Sequence, residues 1–304
     1  MAITQYSFRG EADMTRITGL INSMPLAARH VIDLPWRLSS PTMDEGQDAA
    51  FWEDATGQIV GFAAWQYYWA VLDFFILPGQ DQHVVEEKLF AWADERFREH
   101  DEKRGKPLPY WVEFRDDDAE RRQLVETHGF LQDENDRYVL LEHSLVNLPP
   151  IPTLPDGFVL RTLTGEQEVA AYAEVHRAAF ESPSMTPEWR ARTIHMPQYR
   201  SDLDLVIVAP DRTLAGFCVG WFVPERHVAQ IEPVGVHPRF HKLGLSRVLL
   251  LEMLHRFKQH GATRAMVETN LDRTAARRTY ESVSFQQAHI IRCKGKWMNQ
   301  PIEE

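Results

Sequence analysis

Residues Val234–Leu250 constrain this chain more than any other stretch. They read Val-Gly-Val-His-Pro-Arg-Phe-His-Lys-Leu-Gly-Leu-Ser-Arg-Val-Leu-Leu: an apolar strand, a short turn holding Gly244, then an amphipathic helix. Leu250, Met253, Leu254 and Phe257 fall at helical spacing, and Gly261 is placed to stop the helix. A strand that turns into a helix at a glycine leaves the first helical N–H groups without partners. Those groups, and the positive end of the helix dipole, aim at one point. Such a point suits a phosphate or pyrophosphate.

The flanking residues extend the pattern. Leu205–Ala209 is a short apolar run, Leu214–Val223 reads as a buried strand, and Val228–Val236 reads as another. Pro233 interrupts the last, because it cannot donate to a ladder, and so predicts a bulge or a splayed edge. Ala265–Thr269 is a further strand, Arg273–Val283 a second helix, and Phe285 opens the last strands.

This order, with its motifs, resembles the GNAT acyltransferase family. That family's acetyl-CoA motif is Val-x-Pro-x-x-(Arg/Gln)-x-x-Gly-x-(Gly/Ala), matched here by Val236, Pro238 and Gly244. His241 stands where the family has Arg or Gln, and Ser246 where it has Gly or Ala. Arg273–Phe285 is similar to its second motif, Asn-x-x-Ala-x-x-Leu-Tyr-x-x-x-Gly-Phe, through Ala276, Tyr280 and Phe285. Arg273, Thr279 and Ser284 depart from it.

The resemblance implies an α/β fold with a mixed, mostly antiparallel sheet flanked by helices, and acetyl-CoA as co-substrate. The amides of Leu243, Gly244, Leu245 and Ser246 would hold the pyrophosphate, with His241, Lys242 and Arg247 beside them. Backbone at Val234, Gly235 and Val236 would pair with pantetheine and polarise the carbonyl. Asn270 would take over the pantetheine contact of the missing asparagine, and Arg273, Arg277 and Arg278 offer charge to the phosphates. Glu232 is the candidate base and Tyr280 the candidate acid, with Glu225 and His227 as weaker alternatives to the base. Taken alone, Glu232 also fits a solvated strand end, Tyr280 a packed ring, and each arginine a solvated helix residue.

At 304 residues the chain exceeds the usual single domain, and 44% hydrophobic content can supply two cores. Leu148–Gly157 is proline-rich and extended, giving expected domains at 1–147 and 158–304 with 148–157 as linker. The halves repeat each other: Gly57–Trp65 parallels Arg212–Gly220, and Arg121–Phe130 parallels Arg273–Phe285. The first half lacks the phosphate turn. Aligned on Pro78, Asp81 and Glu86 occupy the His241 and Ser246 positions, and Val84 replaces Gly244. Two carboxylates there would repel a pyrophosphate, so the first domain reads as a degenerate, non-catalytic copy. Tandem GNAT proteins share this layout.

The net charge of −11, without a basic stripe, argues against nucleic acid as partner. No apolar run is long enough for a membrane span, and no signal segment opens the sequence, so a cytoplasmic monomer or homodimer is expected. Cys218 and Cys293 make no disulfide framework, and the 13 histidines are read as showing no His-x-x-x-His or Cys-x-x-Cys pattern, so no metal site is expected. The aromatic cluster Trp65, Tyr67, Tyr68 and Trp69 reads as core, and Phe180–Pro197 as the loop over the acceptor. The expected activity is acetyl transfer to a small-molecule amine by direct attack in a ternary complex, since no cysteine lies near the motif in sequence. The alternative is a CoA-binding pseudo-acyltransferase, because His241, Ser246, Arg273 and Ser284 all depart from the family pattern.

Overall fold

A computed structural model describes residues 2–25, 28–44, 47–105 and 107–298. The chain forms two compact units: Met1–Val31, Pro41–Arg137 and His289–Glu304 make the first, and Ile32–Ser40 with Tyr138–Ala288 the second.

The first unit carries β1 (Thr4–Ser7), α1 (Glu11–Ser23), β2 (Ala49–Glu53), β3 (Ile59–Gln66), β4 (Val71–Ile76), α3 (Gln82–Arg104), β5 (Tyr110–Arg115) and α4 (Ala119–Thr127). Its strands run β1-β2-β3-β4-β5 and end on the last strand of the chain, β12 (Gln286–Lys296). Neighbours are antiparallel except β4 and β5, which pair in parallel only at Val71 and Trp111. Trp65 sits in the core of this unit, edge-on to Phe97 and Tyr110, whereas Tyr68 is 42% exposed, so the aromatic cluster divides between core and surface.

The second unit carries α2 (Leu34–Leu38), β6 (Gln132–Ser144), β7 (Val159–Thr162), α5 (Val169–Phe180), α6 (Pro187–His195), β8 (Asp204–Val208), β9 (Leu214–Val223), β10 (Val228–Val236), α7 (Leu245–Gln259), β11 (Arg264–Asn270) and α8 (Thr274–Ser282). Its strands run β7-β8-β9-β10-β11-β6, again antiparallel except for one parallel pair, β10 and β11. The apolar face of α7, from Leu245 to Phe257, is buried in this unit's core. Gly261 closes α7 as the spacing predicts: at φ 89° its N–H donates to Lys258 O, and Ala262 N–H donates to Phe257 O.

These units differ from a division at residues 148–157 by one strand each and by Ile32–Ser40, which carries α2 into the second unit. Tyr138–Ser144 of β6 pairs with β11 in the second unit, and Ile291–Lys296 of β12 pairs with β5 in the first. The two copies have exchanged their sixth strands. The proline-rich stretch marks a break in local structure, and the ladders formed across it carry the pairing elsewhere. A second difference concerns 180–197, which holds a helix where a loop was expected. Thr186 caps α6 by accepting from Trp189 N–H, and Pro187 occupies the first turn.

Candidate active site

The site builds outward from an irregularity in β10. Its register against β9 shifts between Ile231 and Val234, at the place Pro233 predicts. Parallel pairing with β11 also stops at Ile231 and Val267, so Val234–Val236 keep β9 on one side and, among the described residues, pair with no strand on the other. His237 N–H donates to Ala215 O on β9. Strand alternation then turns the N–H groups of Val234 and Val236 toward the open edge. Gly235 is needed for packing: a Cβ there would meet Phe217 Cζ at 2.7 Å and Ala179 Cβ at 2.8 Å. Its absence lets α5 rest on the irregular strand.

The open edge leads into the glycine turn. Gly244 takes φ 77° and Lys242 φ 64°, a left-handed path that glycine adopts at no steric cost. Helical bonding starts with Arg247 and Val248 N–H donating to Gly244 O. The amides of Leu243, Gly244, Leu245 and Ser246 donate to no carbonyl among the described residues. Two side chains assigned to phosphate are engaged elsewhere. His241 Nε2 lies 3.1 Å from Val236 O, and Arg247 donates to Ser282 O, tying α7 to the end of α8. Lys242, Arg273 and Arg278 are exposed, and Arg277 reaches Gln287 and Glu281.

Glu232 is half-buried on the irregular strand, and its carbonyl accepts from Trp221 Nε1 at 2.7 Å. Tyr280 is buried on α8, edge-on to Phe285. Burial first, then the negative charge of Glu232, holds the Tyr280 hydroxyl above its ordinary pKa, and Arg273 works against this. Glu232 and Tyr280 are thus close enough to feel each other's charge. Asn270 ends β11, exposed, and its carbonyl accepts from Arg273 N–H at 3.1 Å. Arg273 lies over the Phe180 ring at 5.7 Å.

Three sequence expectations change. His227 and Glu225 stand at the start of β10, where His227 Nδ1 meets Gly261 O at the far end of α7, so neither joins Tyr280. Cys218, distant in sequence, pairs across the ladder with Val234 and so borders the site. Burial pushes its thiol well above the usual range, which keeps it neutral and a poor nucleophile. Finally, His237 and His241 do have His-x-x-x-His spacing, but on a turn. His237 Nδ1 accepts from Arg239 N–H while His241 turns to Val236 O, so the two do not act as a helical ligand pair.

Sequence reading missed the α5 side of the site. Tyr172, His176 and Phe180 lie at helical spacing, and their rings gather on Phe217, at 4.9, 5.4 and 6.2 Å. Phe217 pairs with Gly235. The i, i+4, i+8 run of aromatic and imidazole rings was the available signal.

Residues 169–285 match the model of the acetyltransferase (GNAT) family. A mycothiol acetyltransferase from Nocardia farcinica is 32% identical over 152 residues, 47% of this chain and 50% of that protein. The [ribosomal protein bS18]-alanine N-acetyltransferase of Salmonella typhimurium is 30% identical over 104 residues, 34% of this chain and 68% of that one. The chain spans about half the length of the mycothiol acetyltransferases it matches. Among solved structures, a tandem GNAT protein from the clavulanic acid biosynthesis pathway superposes with TM-score 0.67 at 14% identity, covering 99% of this chain and 100% of that one. No helix of the described residues is long and apolar enough to cross a membrane.

Proposed function

Because the chain belongs to the GNAT acetyltransferase family, we propose that its second unit transfers an acetyl group from acetyl-CoA to a primary amine of a small molecule. The observation that carries the reading is one arrangement. An open strand edge bearing Glu232 leads into a turn of unpartnered amides, with Tyr280 within reach of Glu232's charge. Acetyl-CoA is bound by pairing pantetheine with the edge at Val234 and Val236, and by holding the pyrophosphate on the amides of Leu243–Ser246. The likeness to mycothiol acetyltransferases is compatible with such an acceptor. The first unit, with Val84 in place of the turn glycine, is the non-catalytic partner domain.

An alkyl amine with pKa about 10.4 is about 3.4 units from neutrality at pH 7, which costs about 4.6 kcal/mol. Glu232 accepts that proton, directly or through water, as the amine attacks the thioester carbonyl. The N–H of Val234 then donates to the developing oxyanion. Tyr280 protonates the departing thiolate. Burial, and after it the negative charge of Glu232, hold the Tyr280 proton in place, so protonating Glu232 removes the smaller of the two. Taking the amine proton therefore strengthens the acid at the step that needs it. Transfer is direct within a ternary complex, since Cys218, the cysteine bordering the site, is fully buried in the strand.

The test is steady-state acetyl transfer to a panel of primary amines. Glu232→Gln and Tyr280→Phe are each expected to lower kcat about 10²–10⁴-fold while leaving acetyl-CoA affinity unchanged. Rates near wild type in both would return these residues to a structural role.

A further inference from the structure

Two polar atoms on α5 are buried against this site without partners. Tyr172 is fully buried, and its hydroxyl finds no hydrogen-bond partner among the described residues. His176 is 5% exposed, and its Nδ1 is likewise buried and unpartnered. A buried polar group left unpaired forfeits its hydrogen bond to water without replacing it, so native proteins keep few. Both belong to the ring cluster on Phe217, one ladder position from Val234. A Cβ on Gly235 would meet Ala179 Cβ at 2.8 Å, so α5 lies close over the irregular strand.

The surroundings define what could satisfy them. Arg190 stacks 3.8 Å over the Tyr172 ring, but its charge is matched by a buried ion pair with Asp204, which also accepts from Tyr199 OH at 2.5 Å. His176 is neutral: burial, helped by Arg190 and Arg177, lowers its pKa to about 3. Burial likewise keeps the Tyr172 phenol protonated. This face therefore presents two uncharged hydrogen-bonding groups; of the carboxylates acting on Tyr172, Asp204 is paired with Arg190 and Tyr199, and Glu232 stands on the irregular strand.

We propose that Tyr172 and His176 select the acceptor. The Tyr172 hydroxyl and His176 Nδ1 take up an uncharged hydrogen-bonding group, a hydroxyl or an amide, carried close to the reacting amine. The inference rests on the function proposed above and adds the substrate class. A site built to bond such a group rejects an analogue lacking it far more strongly than it rejects a missing methylene, because its own polar atoms stay unpaired.

The experiment compares amino alcohols and amino sugars with their deoxy analogues, ethanolamine against propylamine being the simplest pair. Wild type is expected to favour the hydroxylated member in kcat/KM. Tyr172→Phe and His176→Phe, which keep the rings, should each cut that preference at least tenfold without changing acetyl-CoA affinity. Thermal melting of the free variants gives an independent reading. Removing an unpartnered atom should leave Tm unchanged or higher. A Tm loss of several degrees in Tyr172→Phe, or an unchanged preference in both variants, would overturn the inference and leave the acetyltransferase reading standing. Acetyl-CoA binding with no turnover of any amine by wild type would overturn the acetyltransferase reading, and this inference with it.

Discussion

The two units repeat one strand order and part company where β4 and β10 leave their parallel neighbours. Gly61 pairs with Ile76 as Gly216 pairs with Val236, so the ladders superpose at that end. In the first unit pairing then runs without interruption to Gln66 and Val71. In the second it shifts at Glu232–Pro233, and Glu232 emerges at the edge. The acid position differs too. Phe130 N–H donates to Val125 O just as Phe285 N–H donates to Tyr280 O, which puts a buried valine where the second unit has its tyrosine. The residues proposed as base and acid, and the turn glycine, are all replaced at their positions in the first unit.

The first copy has buried charges near its own splay. Asp73 on β4 and Glu113 on β5 are both buried, and Arg29 Nη2 donates to Glu113 Oε2 at 2.6 Å. Burial raises the Glu113 pKa, but Arg29 and His30 outweigh it and hold the carboxyl well below the usual range. Removing one partner from such a pair typically costs about 3–5 kcal/mol. The comparison teaches that a sheet can survive duplication while its active edge is rebuilt for packing. Among the described residues, both units leave β4 and β10 unpaired on the far side beyond Val71 and Ile231; there the second has a shifted ladder and amides that donate to no described carbonyl, and the first an unshifted ladder and paired charges.

The sharpest way to break the comparison is to cut the chain where the sequence suggests. A 158–304 fragment loses β6, which pairs with β11 over Tyr138–Ser144, and carries β12 without β5. It is expected not to fold, as read by circular dichroism and amide exchange. Cooperative unfolding of that fragment would show that the exchanged strands are dispensable.

Next in size is the pH dependence of stability. The His176 pKa is about 3 folded and about 6.5 unfolded. The unfolded state therefore takes up a proton that the folded state refuses. Stability from this group is full above about pH 6.5 and is lost as pH falls toward 3, at up to about 1.4 kcal/mol per pH unit. The direction at His143, also lowered by burial, is the same. Glu113, with its pKa depressed, contributes above the unfolded value and loses its share only below about pH 4.3. Denaturant melts at pH 7.5 and 5.5 should thus show a slope that His176→Phe flattens. An unchanged slope would mean His176 is not buried as described.

The smallest effect concerns the end of α8. Ser284 sits at φ 73°, where the first copy has Gly129 at φ 87°. A left-handed non-glycine residue costs about 1–2 kcal/mol, so Ser284→Gly should raise stability by about 1 kcal/mol and Gly129→Ser should lower it similarly. Equal melting of the wild type and both variants would remove this difference between the copies.

Much of this was legible in the sequence, for local reasons. Gly244, Pro233 and the apolar spacing of α7 act within a few residues, and all three did what their chemistry predicts. The strand exchange was not legible, because β6 and β12 find their partners through long-range ladders that no local pattern encodes. Cys218 was judged remote from the motif by sequence distance, and the ladder brings it beside Val234. Tyr172 and His176 drew no reading from the sequence, since buried rings on a helix look like ordinary core; only their unpartnered polar atoms mark them as more.

The most direct measurement is calorimetric titration of the whole chain with acetyl-CoA, repeated on Gly244→Glu. One working unit means one site per chain, lost when a carboxylate is placed on the turn and unaffected by changes at Val84. Two sites, or a single site that survives Gly244→Glu, would contradict the division of labour between the two copies.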